Sequence, residues 1–152
     1  MTLMDTLVIR PATLDDVPTI VAMLADDPLG ARRESPGDPA YEKAFAVIDA
    51  DPHQYLAVAE VGGEVVGTLQ LTFIPGLSRR GATRALIEAV RVRADHRGAG
   101  LGKRLAEWAI EESRARGAAL VQLTTDASRT DAHRFYERLG FTASHVGMKL
   151  VF

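Results

Sequence analysis

The hydrophobic pattern opens with Leu7-Val8-Ile9-Arg10, a short apolar run closed by Pro11 that predicts a first strand. Thr13-Leu14-Asp15-Asp16 offers a cap with acid in the first turn, and Val17, Ile20, Val21 and Leu24 follow at helical spacing. Asp26 to Pro39, rich in proline, glycine and mixed charge, reads as a loop. A second helix from Tyr41 to Ala50 gathers Tyr41, Phe45 and Ile48 on one side. Tyr55–Ala59 and Val65–Phe73 then read as strands joined at Gly62-Gly63, a hairpin signal. Arg79-Arg80-Gly81 fills a basic loop. The strand from about Arg84 to Val92 is expected to alternate, with Leu86, Glu88, Val90 and Val92 on one face and Ile87, Ala89 and Arg91 on the other. After a glycine-rich interruption, a long helix runs to Arg116 with Leu101, Leu105, Trp108 and Ala109 as its buried stripe, and Gly117 stops it. Ala119–Thr124 reads as a buried strand, Ser128–Leu139 as a shorter helix, and Phe141–Phe152 as terminal strands.

Composition narrows this picture. The 152 residues suit one α/β domain spanning 1–152, with no linker or repeat. A formal net charge of −2 gives no global attraction to nucleic acid or membrane, so any anion site must be local. The absence of cysteine removes disulfides, thiolate nucleophiles and sulfur-bound metals. His53, His96, His133 and His145 lack ligand spacing, so no metal is inferred. Met1 to Arg10 does not resemble a signal peptide, and no apolar run reaches the roughly 20 residues of a membrane span. A cytoplasmic protein is expected.

The chemistry concentrates in Arg97-Gly98-Ala99-Gly100-Leu101-Gly102-Lys103, between a strand end and a helix start. Unpaired amides and the dipole at a helix N-terminus favour anions, and glycine lets a phosphate approach the backbone. Arg97, Lys103 and Arg104 add positive charge. The spacing fits neither a Walker A loop nor a dinucleotide-binding GxGxxG, which would need glycine at Lys103. Two readings stand at this point: a pyrophosphate site, or glycines that only permit a tight turn.

Val92 followed by Arg97–Gly102 resembles the Arg/Gln-x-x-Gly-x-Gly/Ala motif of the GCN5-related N-acetyltransferase superfamily. Ala132-His133-Arg134-Phe135-Tyr136-Glu137-Arg138-Leu139-Gly140-Phe141 is similar to its Ala-x-x-Phe-Tyr-x-x-x-Gly-Phe element. The resemblance implies a mixed sheet of about seven strands flanked by about four helices, with two parallel strands, Arg84–Val92 and Ala119–Thr124, splaying at a cofactor cleft. It implies acetyl-CoA as cosubstrate. Backbone near Val90 and Val92 would hold the pantetheine arm, and amides of Gly98, Ala99, Gly100, Leu101, Gly102 and Lys103, with Arg97, would hold the pyrophosphate. Many members carry asparagine seven residues before the tyrosine; Arg129 stands there instead and would meet a phosphate, an acidic acceptor group, or solvent. The acceptor would lie against the Asp26–Pro39 loop, the second helix and the terminal strands. Arg32, Arg33 and Glu34 are selectivity candidates in that loop, or a solvated charge run.

By the same resemblance Tyr136 is the general acid that protonates the leaving thiolate; the alternative is that it only completes an apolar helix face. Glu88 stands where relatives carry a base. A carboxylate buried in that apolar strand would be a stronger base; at an exposed edge, or paired with Arg84, it would be structural. His133, one turn before Tyr136, reads as a surface residue. Direct attack by an amine on the thioester is then the expected reaction. The competing readings are a non-catalytic CoA-binding regulator, a transferase of propionyl or succinyl groups, and an interaction module. The acceptor amine, small molecule or protein, is left open, and the terminal strands offer a surface for a homodimer.

Overall fold

The structure, a computed structural model, describes residues 6–152; the part of the signal-peptide expectation that falls on Met1–Asp5 lies outside them. Five strands form one sheet in the order β1-β2-β3-β4-β5: β1 (Leu7–Pro11), β2 (Gln54–Val61), β3 (Glu64–Ile74), β4 (Arg84–Val92) and β5 (Leu120–Gln122). Neighbours are antiparallel up to β4, and β4 pairs with β5 in parallel. Six helical segments surround the sheet: α1 (Val17–Ala25), α2 (Gly30–Arg33), α3 (Ala40–Ala50), α4 (Ser78–Gly81), α5 (Leu101–Ala115) and α6 (Thr130–Arg138).

These five strands and six helices, counted among the described residues, replace the expected seven and four. The strands lost are the terminal ones. Phe141–Phe152 has no regular structure, and Val146, Met148, Leu150 and Phe152 stand almost fully exposed, with no neighbouring strand among the described residues to complete a ladder. The extra helices lie where loops were expected. Asp27 Oδ1 accepts from the amide of Gly30, the first residue of α2. Gly30 is required there, because a Cβ would fall 1.9 Å from the Leu24 carbonyl oxygen. The segment α4 is a left-handed turn, with Arg79, Arg80 and Gly81 at φ +56°, +60° and +74°.

Two apolar layers hold the sheet. On one face α5 places Leu101, Leu105 and Ala109 against Ala57, Ala59, Leu69, Leu71, Ala85 and Ile87. Gly67 lets the helix come close, since a Cβ there would meet Leu105 at 3.0 Å. On the other face Ile20 packs with Ala12 and Val58, and Leu24, Phe45 and Leu56 close the cluster.

At the sheet's first strand, Arg10 grips Asp16 with two hydrogen bonds, of 2.7 and 3.0 Å, and reaches Glu60 at 2.8 Å. The Arg10 hydrogen bonds, helped by the Thr13 amide and hydroxyl, hold the Asp16 carboxyl below the usual carboxylate range. A carboxylate depressed in the fold stabilises above its unfolded pKa, about 4, and loses that stabilisation as pH falls. Asp16→Asn should cost about 1–3 kcal/mol at neutral pH. Its urea midpoint should also fall less than the wild type's between about pH 5 and pH 3. Equal slopes in the two proteins would remove Asp16 from the acid transition.

Candidate active site

The site forms where β4 outruns its parallel neighbour. Pairing with β5 covers only Arg84↔Leu120, Ala85↔Val121 and Leu86↔Gln122, so from Ile87 to Val92 that edge of β4 has no strand partner among the described residues. On the other side β4 stays paired with β3 through Gly67↔Val92, with a bulge on the way. Gln70 faces Glu88 and Thr68 faces Arg91, so Leu69 alone lies opposite both Ala89 and Val90. Ala89 takes the extra residue's turn at φ +55°, a left-handed conformation that the flanking ladder enforces.

This bulge overturns the expected alternation of β4. Ala85 and Ile87 lie on the α5 face, and so do Val90 and Val92. Glu88 and Arg91 share the opposite face with their partners Gln70 and Thr68. Glu88 is therefore separated from Val90 and Val92, with which simple alternation grouped it.

The glycine turn follows β4. Gly98 and Gly100 adopt φ of +83° and +84°, and a Cβ at either would meet nothing within 4 Å. Both positions require the left-handed region, and both leave open space beside the backbone. Gly100 is the N-cap of α5, with no side chain capping the first-turn amides. At Gly102 a Cβ would lie 3.9 Å from both Val92 and Phe135, so β4, α5 and α6 converge there. Leu101 points into the core at 2% exposure, which leaves only its backbone for a ligand. Ala99 is exposed. Lys103 lies exposed on the helix, 3.9 Å from Glu107. Arg97 turns back: its Nε donates to the Val92 carbonyl at 3.1 Å, and its Nη2 reaches the Asp26 carbonyl and carboxylate at 3.4 and 3.5 Å.

Tyr136 sits on α6, half-buried, with Phe135 and Phe141 edge-on at centroid distances of 5.0 and 5.7 Å. Burial pushes its phenol above the usual value, against the opposing charges of Arg129 and Arg91. It therefore holds its proton at neutral pH. Arg129 is exposed at the N-cap of α6. His133 is occupied elsewhere, with its Nε2 3.2 Å from the Asp126 carbonyl oxygen. Of the two readings of Glu88, the structure shows the exposed acid and not the buried one, and among the described residues it pairs with neither Arg84 nor another cation.

The sequence reading missed Arg91, Asp27 and a polar row beside Glu88. Arg91 Nη1 donates to the Val90 carbonyl at 2.9 Å, and its buried Nε lies 3.1 Å from Asp27 Oδ2 without hydrogen-bonding alignment. The Gly30 amide, with the Arg91 charge, holds the Asp27 carboxyl below its usual range. These contacts fasten the end of α1 to both β4 and the glycine turn. An arginine set between Val90 and Val92 near the end of a mostly apolar strand was the available signal. A pocket of about 490 Å³ lies beside α1, lined by Thr19, Met23, Asp26, Pro36 and Arg93 among others; Asp26 and Pro36 belong to the loop expected to meet the acceptor, and none of the expected catalytic or cofactor-binding residues lines it.

Comparison with known proteins agrees with this arrangement. The sequence model of the acetyltransferase (GNAT) family matches residues 18–141. An aminoalkylphosphonate N-acetyltransferase of Salmonella typhimurium is 34% identical over 137 residues, covering 90% of this chain and 86% of that protein. A glucosamine 6-phosphate N-acetyltransferase of Trypanosoma brucei brucei is 41% identical over 88 residues, 58% of each chain. Among solved structures, a transcriptional regulator from Bacillus halodurans C-125 superposes with a TM-score of 0.93 at 50% identity, covering 96% of this chain and 99% of that one. With the family motifs, the splayed strands and the matched core all in one place, the chain belongs to the GNAT family of acetyltransferases.

Proposed function

We propose that this N-acetyltransferase acetylates the primary amine of a small molecule that also carries an anionic group, using acetyl-CoA. The observation that carries the reading is the unpaired edge of β4 between Ile87 and Val92, beside the open glycine turn at the start of α5. In this reading that edge and the glycine turn play complementary parts. The free backbone groups near Val90 and Val92 pair with the amide-bearing pantetheine arm as an added strand would. Amides from Gly98 to Lys103 take the pyrophosphate, and Arg97 releases Asp26 to join them. Glu88, though exposed, has no cation among the described residues to occupy it and stands at the free edge of β4, and in this reading it takes the proton from the amine, directly or through water. The amine nitrogen then forms its bond to the acetyl carbon, the carbon–sulfur bond breaks, and Tyr136 O–H supplies the proton that the thiolate takes up. Arg129, exposed near Tyr136, supports binding of an anionic group.

The acceptor class is supported by the relatives. Three of the relatives are named for aminoalkylphosphonate, glucosamine 6-phosphate and methionine sulfoximine, each an amine that also bears an acidic group, while another is named for mycothiol. A homodimer is supported by the terminal segment, where Val146, Met148 and Leu150 alternate at 88%, 90% and 82% exposure. The description of the Bacillus halodurans relative favours a second reading, a regulator that binds CoA without turnover.

Thiol release from acetyl-CoA, propionyl-CoA and succinyl-CoA should be followed with aminoethylphosphonate, glucosamine 6-phosphate, methionine sulfoximine and spermidine. Amine-dependent release is expected with acetyl-CoA and one of the three acidic amines. Release only with spermidine would overturn the anionic class. Tight acetyl-CoA binding with no release from any amine would favour the regulator.

A further inference from the structure

On the sheet face that carries Glu88, three polar side chains lie where an apolar layer would otherwise continue. Gln54 of β2 faces Thr72 of β3, and Gln70 of β3 faces Glu88 of β4, so the row crosses three strands. Gln54 Oε1 accepts from Gln70 Nε2 at 2.8 Å and from Thr72 Oγ1 at 2.9 Å. Two donors converge on that one oxygen, which turns the Gln70 amide nitrogen towards β2. Among the described residues, nothing donates to Gln70 Oε1, and nothing pairs with the Glu88 carboxylate. Directly opposed residues in an antiparallel pair hold their Cβ atoms about 5 Å apart. A carbonyl oxygen and a carboxylate, both without donors, therefore stand side by side next to the bulge.

Such a pair suits one kind of ligand. It offers acceptors and negative charge but no donor, so it suits a cation that carries N–H groups. Arg91, which shares this face, is turned to Asp27 and the Val90 carbonyl and does not supply that cation.

We propose that Glu88 and Gln70 form a subsite for the protonated amine of the acceptor, with Gln54 and Thr72 as positioning residues that fix the Gln70 amide. This deepens the acetyl-transfer reading and rests on it for the amine's identity as acceptor. The ammonium gives one N–H to Glu88 and one to Gln70 Oε1, and its reactive nitrogen is thereby held beside the carboxylate that takes its proton. A hydroxyl acceptor, having no charge and one donor, satisfies the pair poorly.

The test uses the whole chain and simple cations. The side-chain amide signals of Gln70 and Gln54 would be followed by 15N–1H NMR during titration with methylammonium chloride, and in parallel with tetramethylammonium chloride, which has no N–H group. A saturable shift of the Gln70 signal with methylammonium alone is expected. Glu88→Gln should abolish that shift, and Gln54→Leu, which frees the Gln70 amide, should weaken methylammonium binding about tenfold, the equivalent of one charge-assisted hydrogen bond. Unchanged backbone spectra in both variants would exclude unfolding as the cause. No saturable shift in the wild type, equal shifts with both cations, or an unaffected Gln54→Leu would each overturn the subsite. Calorimetry of acetyl-CoA on the same samples tests the acetyl-transfer reading separately, because that titration involves none of these side chains.

Discussion

Gly100→Glu is expected to weaken acetyl-CoA binding at least a hundredfold in isothermal titration calorimetry, a loss of about 2.7 kcal/mol. Gly100 caps α5 at φ +84°, and the space its Cβ would occupy is empty. A carboxylate there projects into the position assigned to the pyrophosphate and repels it. The same substitution imposes left-handed strain of about 1 kcal/mol on a side-chain-bearing residue, and the controls are chosen around that strain. Gly100→Ala carries the strain without the charge and should lose only a few-fold in affinity. Gly102→Glu adds charge at a residue outside the left-handed set, where a Cβ meets only ordinary contacts at 3.9 Å, and should behave like Gly100→Glu. A negative charge in the first turn of α5 favours the helix dipole, so neither glutamate should harm the helix itself. Equal losses for Gly100→Ala and Gly100→Glu would leave the turn as architecture alone.

Tyr136→Phe should lower kcat by about two to three orders of magnitude, the range of a lost general acid. Acetyl-CoA affinity and melting temperature should stay within error, because the edge-on packing with Phe135 and Phe141 needs only the ring. Burial raises the phenol pKa, so in the wild type the protonated form persists past the ordinary value of about 10. The alkaline limb of kcat should accordingly begin above that value and should be absent in Tyr136→Phe. An unchanged kcat in the variant would leave the ring as packing and assign the proton to another donor.

The parts of this fold read most directly from sequence were those encoded within one element or across one turn. The glycine turn stood out as a strand-to-helix turn with two readings open, and its spacing to Tyr136 carried the family. The span of β4 was likewise legible in its apolar composition. What β4 does with its side chains was not, because the bulge rests on Ala89, and alanine carries no signal of a left-handed turn. Contacts between distant segments were equally hidden. Arg91 with Asp27 and Arg97 with Asp26 each join the strand region to the end of α1, and neither half suggests its partner. The terminal segment failed for a different reason: its alternation is that of a strand, but a strand exists only with a neighbour, and the described residues supply none.

The bulge at Ala89 has a further meaning for how this enzyme can change. It divides β4 into two stretches of opposite parity, one up to Glu88 that meets β5 only at Arg84 to Leu86, and one from Val90 to Val92 that is free along the cleft. Exchanges at Ala85 or Ile87 disturb the packing of the sheet against α5. Exchanges at the exposed Glu88 alter what meets the ligand while the ladder with β3 stays intact. A single misplaced residue thus separates the demands of foldability from those of selectivity, and lets one scaffold diverge towards new acceptors without first being rebuilt.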